Sequence, residues 1–259
     1  MAEKTVGFVG GGRVARIILG GWEKAGQMPV KVVVSDLSMD VLNRLQARFP
    51  MIQIVHNDNK PPASQDLVFA GLHPPALPGC LGEIKACLKP SAILISLAPK
   101  LSIAKITGAL GGFDHIIRLI PNAPSIIGEG FNPISFSGGL SEAERAEISA
   151  LMSVLGKCPE VDEDKLEAYA ILTAMGPTYL WFQLHELQKI AESFGLSRPE
   201  AESGVSEMVA GAGKTLYGSG MTAEEVMDLI PVKPLGEEEG TIKAAYHAKL
   251  ESLYAKLKN

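Results

Sequence analysis

The sequence predicts an α/β fold: a doubly wound parallel sheet over residues 1–160, followed by an all-α unit over 161–259. Two observations carry this reading. Short Val/Ile-rich runs such as TVGFVG, VKVVVSD, DLVFAGL and AILISLA alternate with amphipathic stretches, and continuously apolar strands indicate a sheet covered on both faces. The strand pattern stops near Asp162, and only helical stretches remain after it. A chain of 259 residues also accommodates two domains.

Taken in order, TVGFVG predicts the first strand, with a helix from about Arg13 to Lys24 behind it. VKVVVSD is the second strand, a helix covers about residues 39 to 49, and the short QIV precedes the strand DLVFAGL. The helical LGEIKACL, the strand AILISLA and a helix over about residues 103 to 110 come next. HIIRLIP and PISFS read as strands, SEAERAEISALMSVLG as a helix, and CPEV as a last short strand. In the second half AYAILTAMG, PTYLWFQLHELQKIAESFG, the long stretch from Arg198, TAEEVMDLI and the C-terminal stretch from GTIKAAY all read as helices. Their ends are chemically marked: Gly195 stops one, Ser197 caps the next with Pro199 and Glu200 in its first turn, and Thr222 caps AEEV with Glu225 three residues on.

Composition narrows the function. With 46% hydrophobic and 20% charged residues the chain is a globular protein, and no apolar run reaches the roughly 18 residues that span a bilayer. A net charge of −5 without a basic stripe excludes an electrostatic footprint for nucleic acid. The N-terminus lacks the pattern of a secretory signal, so a cytoplasmic location is expected. Cys80, Cys87 and Cys158 are too scattered for a disulfide framework and read as reduced thiols. No metal site is expected: HELQK, containing His185 and Glu186, lacks the second histidine of a zinc motif, and His56, His115 and His247 are dispersed.

The chemistry begins in the first turn. Gly10, Gly12 and Ala15 occupy the small positions of a G-x-G-x-x-G/A fingerprint between a strand and a helix. The first permits a sharp turn, the second lets backbone approach a pyrophosphate, and the third lets helix and strand pack closely. Asp36, at the end of the second strand, stands where an acid binds adenosine ribose hydroxyls. Together these predict a nicotinamide dinucleotide, NAD or NADP. Asp36 disfavours a 2′-phosphate, whereas Ser35, Ser38 and Arg13 are donors that favour one.

Several segments resemble the pyrroline-5-carboxylate reductase family. VGFVGGGRVARIILGG is similar to its opening loop, ILISLAPKLS to its Ile-Ser-x-Ala-Ala-Gly segment, and RLIPNAPSIIGEG to Arg-x-Met-Pro-Asn-Thr-Pro-Ala-x-x-Gly-Glu-Gly. EVDEDKLEAYAILTAMGPTYLWF resembles the stretch leading into Gly-Ser-Gly-Pro-Ala-Tyr. The resemblance implies a Rossmann domain, a helical dimerisation domain, and hydride transfer from NAD(P)H to a cyclic imine. It further implies cofactor contacts from Gly10, Gly11, Gly12, Arg13 and Val14, from Asn59, from Gly71, Leu72, His73 and Pro74, and from Leu97, Ala98, Pro121 and Asn122. Met175, Gly176 and Pro177 align with the substrate segment.

The substrate side departs from that pattern. The family's hydroxyl in Gly-Ser-Gly-Pro is replaced by Met175, the Thr of Pro-Asn-Thr-Pro by Ala123, and a Ser-Pro-Gly-Gly-Thr-Thr loop is missing between LIPVKPLG and the last helix. Glu237, Glu238 and Glu239 stand there instead, as a solvated helix start. Losing donors for a carboxylate leaves an anion poorly satisfied, so a less anionic imine or a keto compound enters the range of substrates. On the helix from Pro177, Tyr179, Gln183 and Glu186 share a face by their spacing, with Thr178 in the first turn. Thr178 and Glu186 are the candidate catalytic side chains. The same helix is apolar on most sides at Tyr179, Leu180, Trp181, Phe182 and Leu184, which predicts a homodimer or larger homo-oligomer through the helical half. A non-catalytic dinucleotide-binding sensor or scaffold is the competing reading, kept by the missing threonine loop.

Overall fold

A computed structural model describes residues 4–72 and 77–258. Its strands are β1 (Val6–Val9), β2 (Val32–Asp36), β3 (Gln53–His56), β4 (Leu67–Ala70), β5 (Ile93–Ser96), β6 (Ile116–Leu119), β7 (Gly130–Phe131), β8 (Ile134–Phe136) and β9 (Gly156–Lys157). The helices are α1 (Arg13–Lys24), α2 (Met39–Arg48), α3 (Lys60–Ala63), α4 (Leu77–Ile84), α5 (Ile103–Ala109), α6 (Glu142–Ser153), α7 (Leu166–Tyr169), α8 (Pro177–Ser193), α9 (Arg198–Gly218), α10 (Ala223–Asp228) and α11 (Glu239–Lys258). By internal contacts the chain falls into one unit of residues 1–175 with 253–259 and a second of 176–252. Residues 161–175, expected with the helical half, therefore stay with the sheet.

The main sheet runs β3-β2-β1-β4-β5-β6-β8. Pairing is parallel except between β6 and β8. All four residues of β1, β4, β5 and β6 are buried, as expected for strands covered on both faces. One side of the core centres on Phe8, Trp22 and Phe69. The rings of Phe8 and Phe69 stack at 4.7 Å, Trp22 meets Phe69 edge-on at 5.8 Å, and the indole N–H donates to the Leu151 carbonyl at 3.3 Å. Each such fully buried side chain contributes on the order of 2 to 3 kcal/mol of transfer free energy.

α1 carries two glycines in its interior, which would weaken an isolated helix. Their use is close approach. A Cβ on Gly20 would stand 2.7 Å from Ile126, and one on Gly21 would overlap Leu155 and the Ser125 carbonyl. The 3₁₀ turn Ala123–Ile127 thus lies directly on the C-terminal half of α1.

Three elements differ from the sequence expectation. α4 begins at Leu77 rather than Leu81 and gives way to a 3₁₀ turn at Lys85–Cys87, because proline is compatible with a first helical turn. CPEV is not a strand: β9 lies earlier and pairs with β7, while Pro159 lacks an N–H and Glu160 makes only an isolated bridge to Ile134. AYAILTAMG is α7 followed by a π-helical segment, Ala170–Ala174, closed by the Met175 N–H donating to the Ala170 carbonyl at 3.0 Å. The capping boxes at Ser197 with Glu200 and Thr222 with Glu225 are present as the spacing predicts.

Candidate functional site

The strand order brings the carboxyl ends of β1, β4, β5 and β6 to one edge, with the order reversing between β1 and β4. That switch point is where open α/β sheets bind ligands. Gly10 sits there at φ +103, donates its N–H to the Ser35 carbonyl at 2.9 Å, and lies so close to β4 that a Cβ would stand 3.0 Å from the Gly71 carbonyl oxygen. Only glycine fulfils both conditions without strain. Gly12 caps α1 without a side-chain bond, no acid occupies the first turn, and a Cβ at Gly12 would meet no atom within 4 Å. The helix N–H groups near Arg13 and Val14 thus open onto free space, an arrangement that fits a pyrophosphate. Ala15 is buried behind them and lets the helix approach the sheet.

Asp36 is fixed at the end of β2 by two backbone donors, Gly11 N–H and Ser38 N–H, each at 2.9 Å. Its neighbour departs from the expected role. Ser35 is fully buried and its hydroxyl donates to Asn59 Oδ1 at 2.7 Å, so it orients Asn59 rather than meeting a phosphate. Asn59 in turn donates to Glu83 at 3.0 Å. The Ser38 hydroxyl accepts from Val41 N–H at 3.4 Å as the cap of α2. Arg13 lines an open groove of about 570 Å³ with Arg16, Arg44 and Arg48, a cationic wall the sequence reading missed. Its signal was the pair of arginines three apart on α1 and four apart on α2.

On the other side of the switch point, Gly71 donates its N–H to Val9 at 2.9 Å and Leu97 to Ala70 at 3.1 Å, which sets Gly71, Leu72, Leu97 and Ala98 along the same edge. His73 and Pro74 lie outside the described residues. Asn122 is buried with its side chain committed: Oδ1 accepts from Phe131 N–H at 3.1 Å, and Nδ2 donates to the Thr173 carbonyl at 3.2 Å. Asn122 therefore anchors the loop after β6, with Pro121, to the π-helical segment that leads into Met175.

Beneath this edge lies a buried ion network. Arg118 on β6 bonds Glu167 at 2.6 Å and Glu163 at 3.0 Å. Glu167 also accepts the Lys100 N–H at 3.2 Å, and Glu163 the Ile103 N–H at 2.6 Å. Burial raises the pKa of Glu167, but the Arg118 hydrogen bond and charge outweigh it and hold the carboxyl below its ordinary value. Burial pushes the Cys80 thiol up to about 11, aided by Glu83, and the half-buried Cys158 thiol up to about 12. Among the described residues no group of three or more His, Cys, Asp or Glu could hold a metal ion.

In the helical unit, Thr178, Tyr179 and Gln183 of α8 line a groove of about 490 Å³ with Phe182 and with Ile242, Tyr246 and Lys249 of α11. Burial, then the neighbouring Tyr246, raise the pKa of Tyr179, whose ring lies 6.1 Å from Tyr246. Glu186 does not line this groove; it is exposed and pairs with Lys189 at 3.4 Å, the arrangement of a surface ion pair. Met175 closes the first unit, while Gly176 caps α8 and Pro177 occupies its first turn. Glu239 opens α11 and pairs with Lys243, which lowers its pKa.

Comparison with known proteins finds two family matches, the second of which begins before the 175/176 division. Residues 5–100 match the family described as NADP oxidoreductase coenzyme F420-dependent, and residues 163–257 match pyrroline-5-carboxylate reductase dimerisation. The pyrroline-5-carboxylate reductase of Pseudomonas aeruginosa is 23% identical over 254 residues, covering 98% of this chain and 92% of the relative. Pyrroline-5-carboxylate reductase 2 of Bos taurus is 27% identical, covering 83% of this chain and 68% of the relative. Among solved structures, the Plasmodium falciparum pyrroline carboxylate reductase with NADP bound aligns with a TM-score of 0.83 at 20% identity, covering 100% of this chain and 98% of that one. The pyrroline-5-carboxylate reductase of Coxiella burnetii aligns with a TM-score of 0.70 at 26% identity, covering 98% and 94%.

Proposed function

Because the chain belongs to the pyrroline-5-carboxylate reductase family, we propose that it is an NAD(P)H-dependent reductase of a small cyclic imine. The observation that carries this reading is the open α1 N-terminus behind Gly10 and Gly12, at the β1/β4 switch point, with Leu97, Ala98 and Pro121 along the same strand edge. The bound dihydronicotinamide supplies the hydride. Backbone N–H groups from Gly12 to Val14 hold the pyrophosphate, Asp36 receives the adenosine ribose, and Asn59 stands beside it. Gly71, Leu72, Leu97 and Ala98 form the wall that the nicotinamide half follows.

Hydride transfer requires the acceptor carbon held about 3 to 3.5 Å from its donor, so the task of this chain is chiefly positioning. A protonated cyclic imine already carries the positive charge that hydride neutralises, and no strong acid is needed. Met175, Gly176, Pro177 and the hydroxyl of Thr178 are assigned to the substrate side. Glu186, which pairs with Lys189 at the surface at 3.4 Å, is the weaker of the two candidate catalytic side chains proposed on α8. The reductase names of the relatives support turnover over a purely sensory role.

Among the described residues no helix is long and apolar enough to cross a membrane, which is compatible with the cytoplasmic location we propose. The match to a dimerisation family and the exposed Phe182 of α8 and Phe194 at its C-cap, 68% and 82% accessible, support a homodimer through the helical unit. Light scattering at micromolar concentration gives twice the 27.5 kDa chain mass if this is right, and the chain mass if it is wrong. For the activity, initial rates of NADH and NADPH oxidation are measured with 1-pyrroline-5-carboxylate, neutral cyclic imines and 2-keto acids. Turnover of a cyclic imine is expected. Turnover confined to keto acids refutes the reading.

A further inference from the structure

Lys100 is one of two non-glycine residues at positive φ among the described residues; the other, Asn57 at φ 53, is of a type that tolerates this region. Lysine does not, and Lys100 stands at φ 76, four residues beyond the end of β5 and two beyond Ala98. In the segment resembling Ile-Ser-x-Ala-Ala-Gly it occupies the place of the glycine, so the strain arises from a side chain this position does not need for its backbone shape. The surrounding structure holds the conformation in place. The Lys100 N–H donates to Glu167, the nearby Ile103 N–H to Glu163, and both carboxylates are gripped by the buried guanidinium of Arg118. The clamp acts on the backbone only, and no hydrogen-bond or ion-pair partner of the Lys100 ammonium appears among the described residues, where the side chain is exposed.

Strained residues that the surrounding structure over-determines cluster at functional sites. The edge that carries Lys100 is also the edge of Leu97 and Ala98, where the nicotinamide half is assigned; Asp36 ends β2 across the switch point, and the nearby Glu163 and Glu167 are paired with Arg118. We propose that Lys100 is the substrate-specificity residue of this site: its ammonium binds the carboxylate of a carboxylated cyclic imine and so replaces with one fixed charge the hydroxyl donors this chain lacks. The inference rests on the imine-reductase reading and names the substrate class within it. A single charge-assisted contact of this kind changes affinity by about 10- to 100-fold.

The test compares the wild type with Lys100→Gly and Lys100→Arg. For Lys100→Gly the KM for 1-pyrroline-5-carboxylate rises about 10- to 100-fold relative to the KM for 1-pyrroline, which has no carboxylate, while kcat for the carboxylated imine changes by less than about threefold. Lys100→Arg restores most of the loss. Thermal melting moves the other way: relief of the positive-φ strain raises the midpoint of Lys100→Gly by about 2 to 4 °C. Calorimetric binding of L-proline to the protein with oxidised cofactor reads the same contact without turnover. If the wild type reduces no imine but binds L-proline and Lys100→Gly does not, the reductase reading fails and the carboxylate site stands. If the two KM values keep their ratio in Lys100→Gly, or the wild type binds no L-proline, the assignment of Lys100 is overturned.

Discussion

Replacing Glu167 by glutamine removes one negative charge from the network under the site while keeping the side-chain volume and an oxygen for the Lys100 N–H. Arg118, whose side chain is only 3% accessible, then retains Glu163 alone as a counter-charge, and Glu163 is about one-third exposed. Its Nε has no partner among the described residues, so the guanidinium has little else to fall back on. Stranding a buried charge by deleting its partner costs about 3 to 5 kcal/mol. Glu163 and the amide oxygen recover part of this, which leaves a loss of about 2 to 3 kcal/mol and a drop in melting midpoint of about 5 to 10 °C.

The sign with pH follows from the lowered pKa of Glu167. Its contribution is complete above the unfolded value near 4.5 and is lost as pH falls through the folded value, so the deficit of the variant shrinks in acid. Urea unfolding at neutral pH and at successively lower pH values measures both. A neutral-pH loss below about 0.5 kcal/mol, or a deficit that does not shrink in acid, refutes the view that a buried ion network holds the turn from Lys100 to Ile103.

Other perturbations reach different parts of the account. Gly10→Ala places a Cβ at φ +103 and 3.0 Å from the Gly71 carbonyl oxygen, so stability falls by about 1 to 3 kcal/mol and cofactor affinity by more than about 10-fold in a fluorescence titration. Asp36→Asn keeps an acceptor for Gly11 N–H but removes the charge that opposes a 2′-phosphate, beside a groove already lined by Arg13, Arg16 and Arg44. The NADPH-to-NADH ratio of kcat/KM therefore rises about 10-fold or more, and an unchanged ratio removes Asp36 from cofactor selection. Asp66 is lowered to about 2, chiefly by the Lys89 hydrogen bond at 2.7 Å and further by Thr5. Its stabilisation is complete above about 3.8 and lost toward pH 2; because the pair is part-exposed, Asp66→Asn costs only about 1 kcal/mol at pH 7, and urea titrations of the two proteins converge near pH 2.

The sheet was legible because its signal is local. AILISLA is buried throughout and VKVVVSD from Val32 to Ser35, and a parallel strand needs little beyond such a run and a helix to return it. The glycine turn was legible for the same reason: Gly10, Gly12 and Ala15 act through backbone geometry that spacing alone prescribes. The capping boxes at Ser197 and Thr222 were legible from spacing, whereas side-chain commitments to partners far away in the chain were not. Ser35 turns out to serve Asn59, and Asn122 serves Phe131 and Thr173, because buried polar groups are claimed by whichever partner the fold brings near. Glu186 shares a helix face with Gln183, and its pairing with Lys189 three residues on was the alternative legible from the same local spacing. Lys100 escaped notice because nothing in ISLAPKLS announces a positive φ at a lysine; that strain is visible only once Glu163, Glu167 and Arg118 are seen to impose it.

The central claim is that this chain directs hydride from a bound nicotinamide to the carbon of a cyclic C=N bond. Incubation of the purified protein with a cyclic imine and cofactor deuterated on the transferring face of C4, followed by mass spectrometry of the amine, tests it most directly. One deuterium on the former imine carbon is expected for each cofactor oxidised. Amine product without the label, or cofactor oxidised with no reduced amine formed, contradicts it.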